Sequence, residues 1–221
     1  MTIYEKLLHD NKEWAARKVE KDPQYFERLV NVQNPDFLWI GCSDSRVPPN
    51  EITQTEPGKV FIHRNVANLV VHTDMNMLSV LQYAVEVLKI KHIIICGHYG
   101  CGGIKAAMGN HHHGIIDNWL RNIKDVYRLH HDIIENLPES KRVDELVRLN
   151  VREQSLNLAK TNIVQQAWAN GKDISIHGWV YDLHDGIIET VCEIDSKTDW
   201  DNPIYRFEML SDDSEDCYIK K

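Results

Sequence analysis

Apolar residues in this 221-residue chain fall into two kinds of pattern. Short continuous runs, such as Phe37-Leu38-Trp39-Ile40 before Gly41 and Ile93-Ile94-Ile95-Cys96 before Gly97, read as buried strands. Longer stretches repeat apolar residues every three or four positions and read as helices. Strands are predicted at 37–41, 60–64, 92–96 and 174–181, with helical patterns between them at about 74–89, 101–108, 115–136 and 140–170. Strands alternating with helices imply βαβ units and a mainly parallel sheet. The last of these runs meets Leu183-His184-Asp185-Gly186 and then Ile187 to Ile194, a hairpin signal, so the fifth strand is expected antiparallel at an edge. The predicted fold class is α/β: about four parallel strands plus one antiparallel edge strand, flanked by helices.

The two ends differ from this middle. The first thirty residues read as two helices parted near Asp22-Pro23, with Asp22 as cap and Pro23 at the first helical position. Ile3, Leu7, Trp14 and Val19 give the first helix an apolar face on an otherwise polar arm, and such an arm needs a surface to lie on, for instance a partner subunit. Residues 1–34 are thus expected as a helical arm and 196–221 as an acidic tail, a short helix or loose segment, on one domain spanning 1–221.

Composition narrows the class. Hydrophobic content of 43% and charged content of 26% suit a globular protein. A net charge of −8 argues against a nucleic-acid surface, which needs clustered Lys and Arg. No apolar run approaches the ~18 residues of a membrane span. Met1 to Glu20 is charged and lacks the apolar centre of a secretory signal, so the cytoplasm is the expected compartment. Of the five cysteines, in that reducing setting, the pair inside the two motifs, Cys42 and Cys101, favours metal binding over disulfides. Cys96 and Cys192, in apolar runs, read as plain core thiols, and Cys217 as an exposed one.

The chemistry gathers in two clusters. Cys42-Ser43-Asp44-Ser45-Arg46 and His98-Tyr99-Gly100-Cys101-Gly102-Gly103 each follow a predicted strand, at the sheet edge where open α/β folds bind ligands. Two thiols, an imidazole and a carboxylate are the donors that Zn²⁺ prefers. Three ligands, Cys42, His98 and Cys101, leave a fourth tetrahedral position, the arrangement of a catalytic zinc. Asp44 competes for that position, and Arg46 is placed to pair with Asp44 in bidentate fashion. With Asp44 held by Arg46, water can occupy the ion; with Asp44 on the ion, the site is closed. A purely structural zinc remains the plainer alternative, although such a site has no use for a dissociable carboxylate.

Trp39, Arg64 and Tyr181 fall near the C-terminal ends of three strands and offer an indole donor, a guanidinium and a phenol, a set suited to a small planar oxyanion. The plainer alternative pairs Arg64 with a local carboxylate and packs both aromatics in the core. His111-His112-His113, between Gly109-Asn110 and Gly114, reads as a polar loop rather than a metal tract. His130, His131 and His184 read as surface or turn residues. The run Gly97 to Gly103 lacks the Lys-Ser/Thr ending of a phosphate-binding loop.

Cys42 to Val47, His63-Arg64-Asn65-Val66-Ala67-Asn68, and Gly97 to Gly103 resemble the three signature segments of the β-class carbonic anhydrases, in order and spacing, within a similarity running from about residue 3 to residue 195. The resemblance implies one Zn²⁺ per chain on Cys42, His98 and Cys101, with Asp44 as a further ligand in the closed state only. It implies an Asp44–Arg46 dyad as the catalytic pair and reversible hydration of carbon dioxide to bicarbonate by a hydroxide formed at the metal. It assigns substrate contacts to Gln33 and Gly102, and self-association as a homodimer or homotetramer. Trp39, Arg64 and Tyr181 resemble the trio of a bacterial subset in which bicarbonate binds off the metal and, like low pH, inhibits through the closed state. Two rival readings keep the metal site: hydrolysis of carbon disulfide or carbonyl sulfide, and a zinc-stabilised interaction module.

Overall fold

A computed structural model of the chain describes residues 1–31, 33–199 and 203–207. Five strands, β1 (Phe37–Cys42), β2 (Val60–Asn65), β3 (His92–His98), β4 (Ser175–Tyr181) and β5 (Ile188–Ile194), form one sheet in the order β2-β1-β3-β4-β5. β1 runs parallel to β2 and β3, β3 runs parallel to β4, and β5 closes one edge antiparallel to β4. The predicted α/β architecture is therefore present, with each strand extended by a residue or two or shifted at its end.

The pattern that predicted the strands also explains their order. The central strands β1 and β3 are buried along nearly their whole length, as unbroken apolar runs require. β4 alternates buried and half-buried positions, and β5 is largely exposed, as suits an edge.

Helices α1 (Ile3–Lys21), α2 (Tyr25–Val30), α3 (Pro49–Ile52), α4 (Met75–Gln82), α5 (Gly102–Met108), α6 (Ile116–Leu129), α7 (His131–Glu135), α8 (Glu139–Ala159) and α9 (Asn162–Ala169) complete the described fold. Leu38, Ile40, Ile93, Ile95 and Ile176 on one sheet face pack against Met77 and Leu81 of α4, Leu158 of α8 and Val164 of α9. An adjoining cluster joins Ile104 of α5, Leu120 and Ile123 of α6, and Leu146 and Val151 of α8 to Cys42 and Cys101. The opposite face is thinly covered. Trp39, Ile94 and Cys96 pack there with Phe37, Val60, Trp179, Tyr181 and a single helical residue, Ile52 of α3, while Ile62 is 38% exposed.

Several expectations are corrected. Asp22 does not cap the second helix. It ends α1 in extended backbone, the conformation favoured before proline. Its carboxylate accepts the Gln24 amide at 3.1 Å, so α2 starts only at Tyr25 and Pro23 lies in the turn. The helical pattern at 115–136 breaks at His130, a turn residue as one expected reading had it, half-buried and paired with Glu153 at 2.9 Å. The pattern at 140–170 breaks at Lys160, after which Thr161 caps α9 by accepting the Val164 amide. The pattern at 74–89 finishes in one π-helical turn, Tyr83–Val87. Cys96 is buried as expected, whereas Cys192 is only half-buried because its strand is the sheet edge. The expected apolar face of α1 is covered in part: Trp14 packs edge-on against Tyr25 and Phe26, while Ile3, Leu7 and Val19 stay exposed, and no α1 residue is buried among the described residues. Of the acidic tail, residues 196–199 and 203–207 are described, with one short helical turn at Pro203–Tyr205; Cys217 lies outside the described residues.

Candidate metal centre

β1 and β3 are neighbours in the sheet, so the turns following them meet at one edge. There the Cys42 and Cys101 sulfurs lie 3.9 Å apart, both buried. Two sulfurs each about 2.3 Å from a tetrahedral ion would lie roughly 3.8 Å apart. His98 completes the group: its nitrogen and the two sulfurs all lie within 4.8 Å of one another. The His98 ring is fully buried, and its Nδ1 faces the Tyr99 carbonyl at 2.9 Å. With the proton on Nδ1, Nε2 carries a free lone pair, the state in which histidine binds a metal. Nε2 is also one of the few buried polar atoms with no hydrogen-bond partner among the described residues. A buried acceptor with no partner is costly, and an ion held with the two sulfurs would satisfy it.

The sulfurs share one negative charge. Contact with the Cys101 thiol, opposed by burial and helped by His98 and by the Asp44 and Ala67 amides, lowers the Cys42 pKa. The Cys42 thiolate, and then burial, push Cys101 upward. Such a pair gives up its second proton only to a cation, as metal binding to thiols requires. The donor set, the lone pair and the spacing all fit a borderline-soft divalent ion.

Asp44 stands at the open side of this group, Oδ2 lying 3.7 Å from His98 Nε2. Arg46 grips it in a fork, Nε donating to Oδ1 at 2.9 Å and Nη2 to Oδ2 at 2.7 Å, while the Arg46 amide donates to Oδ1 at 3.0 Å. These bonds, partly offset by burial, hold the Asp44 carboxyl well below the usual carboxylate range. Arg46 Nη2 also reaches the Gly100 carbonyl at 3.4 Å, linking the dyad to the turn that carries His98 and Cys101.

The sequence model of the carbonic anhydrase family matches residues 37–188, which contain every element of this centre. The chain belongs to the carbonic anhydrase family, in its β class. It is 47% identical to a carbonic anhydrase of Emericella nidulans over 84% of this chain and 82% of that protein. Among solved structures it is similar to a β-carbonic anhydrase of Coccomyxa in complex with acetazolamide, at a TM-score of 0.84 and 38% identity over 88% of this chain and 89% of that one. It is likewise similar to tetrameric β-carbonic anhydrases of Sordaria macrospora, at a TM-score of 0.81 and 37% identity over 86% of this chain and 98% of that one. The enzyme is thus a carbonic anhydrase, a carbonate-dehydrating lyase, and the reading as a mere interaction module falls away. No helix among the described residues is long and apolar enough to cross a membrane.

The remaining predicted residues of the enzyme are scattered differently. Gly102 opens α5 beside Cys101 and is exposed, and Gln33 is exposed ahead of β1. Trp39 is buried edge-on to Trp179, their ring centres 6.1 Å apart, and Tyr181 packs in the same cluster. Among the described residues Arg64 pairs with no carboxylate. It donates to two main-chain carbonyls, Cys42 at 2.8 Å and Asp44 at 2.5 Å.

Asn150, Trp119 and Gln154, which sequence reasoning passed over, hold the other wall in place. Val66–Asn68 forms a tight turn in which Ala67 and Asn68 take left-handed φ values of 65° and 49°. Asn150 Nδ2 donates to the Ala67 carbonyl at 3.1 Å, Trp119 Nε1 to the Val66 carbonyl at 2.8 Å, and the Val70 amide to Gln154 Oε1 at 2.8 Å. The available signal was Asn150 and Gln154 at i, i+4 on the core-facing stripe of α8, where polar side chains need a structural reason.

Proposed function

We propose that the enzyme hydrates carbon dioxide reversibly with Zn²⁺ held by Cys42, His98 and Cys101, and that the Asp44–Arg46 dyad sets whether the site is open. The observation carrying this reading is His98 Nε2, a buried nitrogen with no hydrogen-bond partner among the described residues, grouped with two sulfurs and with the Asp44 carboxylate 3.7 Å away. When bound, the ion supplies a water acidified toward neutrality, the nucleophile that hydration needs.

The chain's own residues do the rest. Arg46 keeps Asp44 ionised and fixed, so Oδ2 accepts a hydrogen bond from the nucleophilic water and aims its lone pair at the substrate carbon. Gly102, with no side chain at the exposed start of α5, leaves room for carbon dioxide beside Cys101. Released from Arg46, the same carboxylate, 3.7 Å from His98 Nε2, would be a further donor able to hold the ion in place of water. That is the closed, inactive state, favoured at low pH.

Trp39, Arg64 and Tyr181 form a second bicarbonate site in this reading. Support comes from the register: Arg64 is paired with Gly41, two residues on from Trp39, and Tyr181 with His98, which puts all three near the strand ends. Arg64 also holds the carbonyls of Cys42 and Asp44. An anion that draws the guanidinium away removes two bonds from the segment carrying Asp44, loosening the dyad toward closure. Self-association is supported by the uncovered apolar residues of α1, Ile3, Leu7 and Leu8, by the thinly covered sheet face, and by the tetrameric relatives. In a homodimer or homotetramer, Gln33 would reach the substrate of the neighbouring subunit.

Stopped-flow hydration of carbon dioxide across a bicarbonate series tests the reading. Fast hydration by the zinc-loaded enzyme, with sigmoidal bicarbonate dependence lost in Arg64→Ala, is the expected result. Zinc-loaded enzyme without hydration would refute the catalytic assignment, and unchanged cooperativity in Arg64→Ala would refute the second site.

A further inference from the structure

Between the two ligands His98 and Cys101 lie only Tyr99 and Gly100, so Tyr99 carries the one side chain of that loop. Gly100 adopts φ 69°, and Gly102 and Gly103 follow, so the far side of the turn has no side chain able to anchor it. Tyr99, by contrast, is held at three points. Its amide donates to the Tyr181 carbonyl at 3.0 Å. Its hydroxyl donates to Glu189 Oε2 at 3.1 Å and accepts from Arg148 Nη1 at 3.4 Å. Arg148 Nη1 also donates to Glu189 Oε1, closing a three-membered ring of bonds.

The ring draws on three elements. Arg148 comes from the middle of α8, and Glu189 from the start of β5, opposite Val180 in the hairpin. The Arg148 guanidinium lowers the Glu189 pKa, burial opposing it and the Tyr99 hydroxyl adding to it. What the ring fixes is the Tyr99 peptide, whose carbonyl accepts the His98 Nδ1 proton. That bond settles which ring nitrogen keeps its lone pair and where the lone pair points.

We propose that Tyr99, clamped by Arg148 and Glu189, is a positioning residue for the ligand His98: the clamp aims the Tyr99 carbonyl, and the carbonyl aims Nε2 at the metal position. None of the three clamp side chains needs to touch substrate. The inference rests on the zinc reading above.

Two conservative variants test it. Tyr99→Phe keeps the ring and removes only the hydroxyl; Glu189→Gln keeps the shape and removes the charge. The zinc dissociation constant is measured by chelator competition, and the absorption bands of the Co²⁺-substituted protein report ligand geometry. The wild type is expected to hold one zinc per chain, and both variants to bind zinc about tenfold more weakly, the low end for groups that orient a ligand, with shifted cobalt bands. A clamp that serves only packing would lower thermal stability with affinity and bands unchanged, and that result overturns the inference alone. Wild-type protein that binds no zinc overturns the zinc reading and the inference with it. Should Tyr99→Phe fail to fold, Glu189→Gln, at a half-exposed position, decides by itself.

Discussion

The sulfurs of Cys42 and Cys101 lie 3.9 Å apart although 59 positions separate them in the chain. β1 and β3 bring them together by pairing side by side, so the metal centre is a product of the sheet rather than of one local motif. Cys101→Ser is expected to weaken zinc binding more than ~100-fold, beyond the range seen for groups that merely orient a ligand, with hydration lost in step. Metal analysis after dialysis and stopped-flow hydration check this together.

Asp44 and Arg46 form a different kind of unit: in the proposed open state the ion is held by Cys42, His98 and Cys101 without them. Asp44→Asn and Arg46→Ala are each expected to lower kcat/KM by roughly 10²–10⁴-fold, the scale of a lost proton-handling group, with zinc content unchanged. Arg46→Lys is expected to restore little, because an ammonium cannot reproduce the fork donated to both carboxylate oxygens. Zinc lost from any of these variants would reassign the dyad to metal retention.

The pH response divides in two. Arg46 holds the Asp44 carboxyl below its ordinary value of 3.8. A carboxylate lowered in the native state adds stability that is present above its unfolded pKa and lost as pH falls toward the native one. The stability difference between wild type and Asp44→Asn should therefore be constant from about pH 8 to about pH 5 and shrink below about pH 4. Urea midpoints measured along that series decide it. Activity is expected to rise between about pH 6 and about pH 9, since two thiolates make zinc a weaker Lewis acid than imidazoles would. A flat rate profile over that range would contradict the zinc chemistry proposed here.

The sheet and the ligand clusters were legible in the sequence because both rest on local signals: unbroken apolar runs for β1 and β3, and donor residues directly after them. Helix ends were less legible. Asp22 resembles a helix cap, yet the proline after it favours extended backbone, and its carboxylate turns to Gln24 instead. His130 breaks a helical pattern that continues on either side of it. The main-chain bonds of Arg64 and the joining of Tyr99, Arg148 and Glu189 were hidden for another reason: the partners lie 20 to 90 positions apart, at distances that only the folded chain supplies.

Close packing around the centre gives a further expectation. A Cβ at Gly103 would stand 2.9 Å from Val66 Cγ1 and 3.3 Å from Ala67 Cβ, against the turn fastened by Asn150 and Trp119. That turn has little room to retreat. Gly103→Ala is expected to cost about 1–3 kcal/mol of stability by overpacking and to weaken zinc binding. Denaturant titration with and without zinc measures both effects, and a variant as stable as the wild type would show the turn to be yielding.

Zinc-edge X-ray absorption on the purified enzyme puts the centre itself to the test. Two sulfur neighbours at about 2.3 Å and one imidazole nitrogen at about 2.0–2.1 Å, with a light atom in the fourth position, are the expected result. A spectrum without sulfur, or with four sulfurs, would contradict the grip formed by Cys42, His98 and Cys101.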